Sequence, residues 1–322
     1  MQFNPVSLAR RLFFVLFRLK FSVAARRQAE KPIRLATISE GVSSWPLYVA
    51  QEKNFFAREG LDVDVTLTGS SVKQLEQLTA GDFDIGFQQS DHVVRGVEHG
   101  SDLFIFMAQA HAPELSLVVA PGIRSFADLK GREVAVDGAR TGYALLLRKL
   151  LADKGLRNGD YFLNEVGGSR ERFEALKNGV VSASLLNPPF DNALFASGFG
   201  SLGTVDDYFP AYPGSIAAAR RSWARDHGTQ LIAFICAFNK AYTWLQEPRN
   251  KFEALELLQE RFEIEPQAAA KAFDRFAGRP RPEVSREGLN QVIALVWNAE
   301  GFPPPRGSPE KYMDLSYLDR AR

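Results

Sequence analysis

The sequence has little of what disulfide, metal and redox chemistry requires. Among its 322 residues there is one cysteine, Cys236, and there are four histidines. An intrachain disulfide is therefore impossible, and no cysteine–histidine spacing suggests a zinc site. The cysteine lies in the apolar run 231–238, which predicts a buried, unreactive thiol. Nothing resembles a nucleophile elbow, a phosphate-binding loop or a metal-binding pair.

The chain also lacks a strong net charge and a long apolar segment. Its net charge of +1 gives no reason to expect nucleic acid as a partner. Beyond the first 30 residues, no stretch is long and apolar enough to span a membrane. At this length the chain can form two domains with cores of their own.

The first 30 residues differ in composition from the rest. A short apolar run at 12–17 follows the pair Arg10 and Arg11, and small residues farther on offer a cleavage site. This order is typical of an export signal, and the arginine pair resembles a twin-arginine signal. We interpret residues 1–30 as an export signal. A basic amphipathic or unstructured tail is the alternative, because basic residues interrupt the apolar core.

A pattern of strand, helix, strand, helix, strand occurs twice, at residues 33–90 and again at 133–190. The match is clearest between 69–86 and 168–184, where the second copy reads as one residue shorter. Alternating and apolar runs indicate the strands, and glycines indicate the helix ends. A repeated α/β half predicts two similar lobes with a cleft between them, which favours ligand capture.

The chain is predicted to cross from one lobe to the other twice. We expect residues 31–113 and 214–322 to form the first lobe and residues 114–213 the second, with the apolar segment 115–120 crossing between them. The chain should become mainly helical after about residue 215. The predicted helices there are roughly 221–247, 250–262, 265–277 and 285–300.

Small polar residues are concentrated in the loops that follow the predicted strands. In parallel α/β units, ligands bind at the carboxyl ends of the strands. Several of these loops also open helices, whose free backbone amides point into the same space. The sequence therefore predicts a groove lined by the strand-end loops of both lobes.

Three segments, 37–65, 80–86 and 128–136, carry a family resemblance in their order and spacing. They are similar to segments of the nitrate/sulfonate/taurine and thiamine-precursor substrate-binding proteins of ABC importers. The resemblance covers about residues 33–260. It implies a type II periplasmic-binding-protein fold, an α/β fold with two lobes around a ligand cleft. It also implies a periplasmic location, an ABC permease in the inner membrane as partner, and no cofactor.

In such proteins the strand-end loops contact the ligand, and the matching positions here fall in both halves. They are Ser43, Ser44, Trp45, Gly69, Ser70, Gln89, Ser90 and His111 in the first half, and Arg140, Thr141, Gly142, Tyr143 and Asn187 in the second.

The chemistry of these side chains suggests roles for some of them. Trp45 and Tyr143 can provide flat walls for a planar ligand, and Arg140 can bind an anionic group through its bidentate fork. Structural alternatives stay open, because Trp45 could pack in the core and Arg140 could project into solvent. Ser71 is predicted to cap a helix.

The leading hypothesis is a monomeric solute-binding component of an ABC importer that captures a small organic anion. Sulfonates, carboxylates and heteroaromatic anions are the candidate ligands. The enzymatic alternative is a pyrimidine synthase of the thiamine pathway, which shares the fold but uses histidines and a cysteine-rich iron motif that this chain lacks. A third alternative is a ligand-binding subunit of a sensory system.

Overall fold

Two five-stranded sheets organise the part of the chain that the computed structural model describes. That part comprises residues 31–110, 115–209, 212–213, 215–277 and 281–321. The segment Ile33–Arg322 forms a unit of its own, apart from the first 32 residues. The predicted export signal lies outside the described residues.

The first sheet has the strand order β2-β1-β3-β10-β4. Its strands are β1 (Ile33–Thr37), β2 (Val63–Leu67), β3 (Ile85–Gln89), β4 (Leu103–Ala108) and β10 (Ser215–Arg220). Strand β1 pairs in parallel with β2 and β3, whereas β10 is antiparallel to β3 and β4. Every residue of β3 and β4 is buried, as expected for strands that are covered on both faces.

The second sheet repeats this arrangement with the order β7-β6-β8-β5-β9. Its strands are β5 (Ser116–Val119), β6 (Glu133–Val136), β7 (Phe162–Glu165), β8 (Ala183–Leu186) and β9 (Gly200–Thr204). Here β6 is parallel to β7 and β8, and β5 is antiparallel to β8 and β9. We call the first sheet with the helices on it lobe 1 and the second sheet with its helices lobe 2.

The helices connect the strands and then cover lobe 1. They are α1 (Trp45–Glu52), α2 (Phe55–Arg58), α3 (Ser71–Ala80), α4 (Ser90–Glu98), α5 (Gly142–Asp153), α6 (Ser169–Lys177), α7 (Phe190–Ala196), α8 (Val205–Tyr208), α9 (Arg221–Asp226), α10 (Gly228–Gln246), α11 (Lys251–Phe262), α12 (Pro266–Ala277), α13 (Arg286–Glu300), α14 (Pro309–Tyr312) and α15 (Ser316–Arg320). Short 3₁₀ turns occupy Val42–Ser44, Phe126–Leu129 and Pro248–Asn250.

The C-terminal helices bury an aromatic core against the first sheet. Phe234 of α10 stacks on Phe56 with ring centroids 5.3 Å apart and meets Phe87 of β3 edge-on at 6.2 Å. Removing a buried phenylalanine costs about 3–5 kcal/mol in typical cores. We therefore regard α10 as an integral part of lobe 1.

Several sequence predictions are corrected by the structure. The segment 115–120 contains β5, a strand of the second sheet, and the predicted helix 221–247 is two helices that meet at His227. Cys236 is half-buried, not buried, and burial raises the pKa of its thiol. In the described ranges, no helix combines the length and the apolar character needed to cross a bilayer. The proposed lobe boundaries stay a prediction, because residues 111–114, 210–211 and 214 are not described.

Candidate functional site

A cleft lies where the carboxyl ends of the parallel strands of both sheets meet, and its cavity volume is about 60 Å³. Strand ends and loops line it on the lobe 1 side, and loops and helix starts line it on the lobe 2 side. The lining residues are Thr37, Ile38, Ser39, Glu40, Ser43, Ser44, Phe87, Gln88, Gln89, His92, Gln109, Ala110 and Ser215 of lobe 1, and Asp137, Gly142, Tyr143, Gly168, Ser169, Arg172, Asn187 and Pro188 of lobe 2. This is the edge at which parallel sheets bind ligands.

Three helices, α4, α5 and α6, begin at this cleft. Lining residues lie at or next to their N-caps: Gln89 for α4, Gly142 for α5 and Gly168 for α6. Neither Gln89 nor Gly168 caps its helix with a side-chain hydrogen bond. The first-turn amides of those helices are therefore left for another acceptor, and helix N-termini favour negative charge.

Arg172 brings a buried positive charge to the same place. It is the fourth residue of α6, and its exposed fraction is 2%. Its Nη1 donates to the carbonyl of Gly167 at 2.6 Å, and its Nη2 donates to Ser169 Oγ at 3.3 Å and to the carbonyl of Leu185 at 3.4 Å. Burial lowers the pKa of this guanidinium, which stays protonated at any physiological pH. No described carboxylate lies within ion-pair distance of it.

Asp137, at the end of β6, is the main opposing charge near Arg172. Its Oδ1 accepts a hydrogen bond from Thr141 Oγ1 at 2.5 Å, and its Oδ2 accepts one from Ser71 Oγ at 3.0 Å. Because both carboxylate oxygens are engaged by hydroxyls, Asp137 moderates the positive potential without pairing directly with the guanidinium.

The two lobes touch directly across the cleft. Gln89 Nε2 of lobe 1 donates to Tyr143 Oη of lobe 2 at 2.7 Å. The amide of Val42 donates to the carbonyl of Pro188 at 3.0 Å. These bonds join residues of different sheets, so the structure represents a closed arrangement of the lobes.

Two further contacts show how tightly the lobes approach each other. Glu40 of lobe 1 binds Arg170 of lobe 2 at 2.9 Å and Arg261 of its own lobe at 3.3 Å. Gly142 lies against Asp91 of α4, and a Cβ atom built at Gly142 would be 2.0 Å from Asp91 Oδ1. Only a glycine therefore fits at the start of α5 in this arrangement.

Several buried polar groups at the cleft have no hydrogen-bond partner among the described residues. They include both ring nitrogens of His92, both amide atoms of Gln88 and Asn187 Oδ1. Burial lowers the pKa of His92, so its ring is neutral at pH 7 and offers one donor and one acceptor. Burial also raises the pKa of Tyr143, whose hydroxyl keeps its proton. Buried polar groups of this kind are normally satisfied, so these atoms are available to a polar ligand or to water.

Six of the residues predicted from the sequence line the cleft. They are Ser43, Ser44, Gln89, Gly142, Tyr143 and Asn187. The first two are also tied to the end of β4, because Gln109 Nε2 donates to the carbonyl of Ser43 at 3.1 Å and to Ser44 Oγ at 2.9 Å.

Trp45 is in the core of lobe 1 and not at the cleft wall. Its exposed fraction is 1%, and it meets Phe273 edge-on with ring centroids 5.6 Å apart. The structural alternative for Trp45 therefore fits the geometry, and the interpretation as a stacking wall does not.

Arg140 also lies outside the cleft. Its side chain is 77% exposed, and its Nη2 binds Glu300 Oε2 at 2.7 Å. Glu300 in turn accepts a hydrogen bond from Arg95 Nε at 2.8 Å. The anion-binding role predicted for Arg140 does not fit this position, which instead makes it a second charged contact between the lobes.

The roles predicted for Ser70, a ligand contact, and Ser71, a helix cap, do not fit the structure. Ser70 Oγ caps α3 by accepting the amide of Lys73 at 3.3 Å, whereas Ser71 makes the cross-lobe bond to Asp137. Thr141 is likewise the N-cap of α5. The cleft lining includes neither these two caps nor the remaining predicted residues, Gly69 and Ser90. His111 lies outside the described residues.

Sequence reasoning missed Arg172, although the internal repeat carries a signal for it. Gln74 of α3 donates to the carbonyl of Phe87, and Arg172 of α6 donates to the carbonyl of Leu185; both bonds span 13 residues. The two positions are therefore equivalent. The repeat aligns Gly69 with Gly167, not with Gly168, and the second copy is not shorter. Glycine 167 has the positive φ, 113°, that matches the 66° of Gly69.

Together, the two lobes and their cleft define a solute-binding-protein fold. The NMT1/THI5-like family model matches residues 42–250. The chain belongs to this family.

Solved structures confirm the type II periplasmic-binding-protein fold predicted from the sequence. The alkanesulfonate-binding protein SsuA from Xanthomonas axonopodis pv. citri, solved with MOPS, superposes with a TM-score of 0.73 at 18% identity, over 88% of this chain and 98% of that one. The periplasmic nitrate-binding protein NrtA from Synechocystis PCC 6803 gives a TM-score of 0.74 at 16% identity, over 90% and 88%. At these identities the likeness shows the fold.

A curated relative is similar in sequence as well. The bicarbonate transport ATP-binding protein CmpC of Synechocystis sp. (strain ATCC 27184 / PCC 6803 / Kazusa) is 25% identical over an alignment of 238 residues that covers 67% of this chain and 36% of the relative. The chain spans about a third of the length of the curated relatives it matches.

Proposed function

We propose that this chain is the solute-binding component of an ABC importer and captures a compact anion between its lobes without catalysis. The observation that carries the proposal is Arg172, a buried guanidinium with no carboxylate in contact, beside the uncapped start of α6. A charge buried in this way is costly unless something pairs with it. The names of the similar proteins, which bind alkanesulfonate or nitrate or belong to bicarbonate transport, support an anionic ligand.

The size of the cavity favours a small ligand. A cavity of about 150 Å³ binds benzene, whereas the cleft measures about 60 Å³ with the lobes in contact. Compact sulfonates, carboxylates or inorganic oxyanions suit this volume. An aromatic anion would require the lobes to part and Tyr143 to release Gln89.

The polar lining would distinguish among compact anions. One end of the ligand would meet Arg172, Ser169 and the amides of α6. Neutral groups of His92, Gln88 and Asn187 would bind the remainder, and lobe closure would report occupancy to a permease. The same protein would then be periplasmic and work as a monomer. If the partner were a sensory protein and not a permease, the same ligand binding and lobe closure would be needed.

A thermal-shift screen of nitrate, bicarbonate, acetate, methanesulfonate and benzoate tests the proposal. A ligand at a hundredfold excess over its Kd stabilises the folded state by about 2.7 kcal/mol, which raises the melting temperature by several degrees. If none of these anions, nor larger sulfonates and pyrimidines, shifts the melting temperature, the solute-binding function is refuted.

Calorimetry with the best anion then tests the site. We expect Arg172→Gln to lose about 1.5–3 kcal/mol of binding free energy, roughly 10- to 150-fold in Kd, because a charge-assisted contact is removed. Arg140→Gln is the matched control and should bind with less than about a threefold change, since its guanidinium is exposed and paired with Glu300. Equal losses in both variants would contradict the assignment of Arg172. Uptake of the anion by cells that carry or lack the gene for this chain separates transport from sensing.

A further inference from the structure

A second, larger concavity lies on the flank of the molecule, away from the cleft lining. It is a groove of about 680 Å³ between α5 of lobe 2 and α13. Its volume is within the range of small-molecule sites, roughly 300–1,000 Å³. No residue of the groove lines the cleft, so the two sites are separate.

The floor of the groove is apolar. Leucines, alanines and aromatic residues make up most of its lining. The apolar lining residues are Leu145, Leu146, Ala152, Leu156, Tyr161, Phe209, Tyr212, Ala294, Leu295 and Ala299. A concavity with a mainly apolar lining and a few polar or charged groups is the usual form of a small-molecule site.

The charged residues of the groove are all cationic. Arg148, Lys149 and Arg157 line it, and its described lining contains no aspartate or glutamate. Lys149 is already paired with Asp153 at 2.6 Å. Neither arginine forms an ion pair with a described residue, and the Nε of Arg148 is buried with no hydrogen-bond partner there. A carboxylate bound in the groove would pair with the arginine charge that no described residue neutralises.

We propose that this groove binds an amphipathic carboxylate, a molecule with one carboxylate group on an alkyl body. The carboxylate would pair with Arg148 and lie near Arg157, which also lines the groove. The alkyl chain would cover the leucines and alanines between the helices. The large apolar groove excludes the compact, strongly hydrated anions that suit the cleft, so the two sites differ in ligand class.

The occupant would touch both lobes. Helix α5 starts at Gly142 and Tyr143 in the cleft, and α13 ends at Glu300, which binds Arg140 of lobe 2. A ligand that contacts both helices favours the arrangement of the lobes in which the groove is formed. Binding in the groove therefore favours lobe closure.

Calorimetric titration of the full chain with decanoate tests the proposal. We expect saturable binding with one decanoate per chain, at least tenfold tighter than acetate, which lacks the chain, and than decyltrimethylammonium, which has the opposite charge. Arg148→Gln should weaken decanoate binding about tenfold. Arg225→Gln, at an exposed arginine of α9, is the matched control and should leave it unchanged.

Two more variants separate the groove from the cleft. Ala294→Trp fills the groove and should abolish decanoate binding, whereas Arg172→Gln should not alter it. Unchanged decanoate binding by both Arg148→Gln and Ala294→Trp would overturn the proposal. Binding of many decanoates per chain, or loss of binding only in Arg172→Gln, would overturn it as well. Far-ultraviolet circular dichroism of each variant verifies that the fold is intact.

Discussion

Gly142 offers the sharpest test of whether ligand binding depends on the closed arrangement of the lobes. It is the first residue of α5 and faces Asp91 of the other lobe. A Cβ atom at this position would lie 2.0 Å from Asp91 Oδ1, 2.4 Å from its Cγ and 2.8 Å from its Oδ2. Ordinary contact begins at 3.4 Å, so the Gly142→Ala methyl group overlaps the carboxylate by more than an ångström.

The overlap is difficult to relieve within one lobe. Asp91 is fully buried, and its Oδ2 lies 3.4 Å from Arg95 Nη1, which limits its movement. The simplest response is for the lobes to stay apart. Overpacking in a tight contact costs about 1–3 kcal/mol, which corresponds to a 5- to 150-fold loss of ligand affinity if binding requires closure. The sheet of each lobe is unaffected, so thermal stability without ligand should change little.

Calorimetry with the best anion of the screen measures the loss, and small-angle X-ray scattering measures the radius of gyration with ligand. We expect weaker binding and a larger radius for Gly142→Ala. Gly138→Ala is the matched control, because its nearest neighbour, Thr141 Cγ2 at 3.2 Å, belongs to the same lobe. If Gly142→Ala binds as tightly as the natural chain, with the same radius, the dependence of binding on this closure is refuted.

Three further substitutions concern the contacts around the cleft. Ser70→Ala removes an N-cap and should lower the free energy of unfolding by about 0.5–1 kcal/mol with ligand affinity intact. Ser71→Ala removes a cross-lobe hydrogen bond and should weaken ligand binding with the free energy of unfolding intact. Denaturant unfolding and calorimetry on both variants check this, and identical profiles would contradict it. Although burial alone would raise it, the hydrogen bonds from Arg95 and Arg140 lower the pKa of Glu300 below its ordinary 4.5. Glu300→Gln should therefore cost about 1 kcal/mol of unfolding free energy at pH 7. The difference should shrink as the pH falls below the ordinary pKa and through the lowered pKa of the folded state; a constant difference across a urea-unfolding series from pH 7 to 3 would refute it.

The lobes could be predicted from the sequence because their strands follow the physics of buried parallel sheets. The predicted helices 250–262, 265–277 and 285–300 also agree with α11, α12 and α13 to within a residue at each end. The antiparallel strands were harder to predict. β10 and β5 are short apolar runs without periodicity, and only their partners distinguish such runs from connecting segments.

The cleft was predicted less completely, and the reason is the direction of side chains. Fold topology brings strand-end loops together, so Gln89, Tyr143 and Asn187 were found. Whether a residue near a helix start faces the cleft depends on the phase of that helix, which one residue changes by about 100°. Arg140 precedes the cap of α5 and points away, whereas Arg172 lies one full turn into α6 and points in.

The equivalence of Gln74 and Arg172 explains why glutamine is the informative replacement. In lobe 1 the glutamine side chain reaches the carbonyl of Phe87 at 3.1 Å, from the same helix position and across the same 13 residues. Arg172→Gln should therefore keep the bond to Leu185 that supports the strand end, while the charge is lost. A variant that melts like the natural chain but no longer binds the anion would show that the charge at this position of lobe 2 is needed for ligand binding and not for stability. If it unfolds instead, Arg172 has a structural role, and the positive potential of the helix starts must suffice for the ligand.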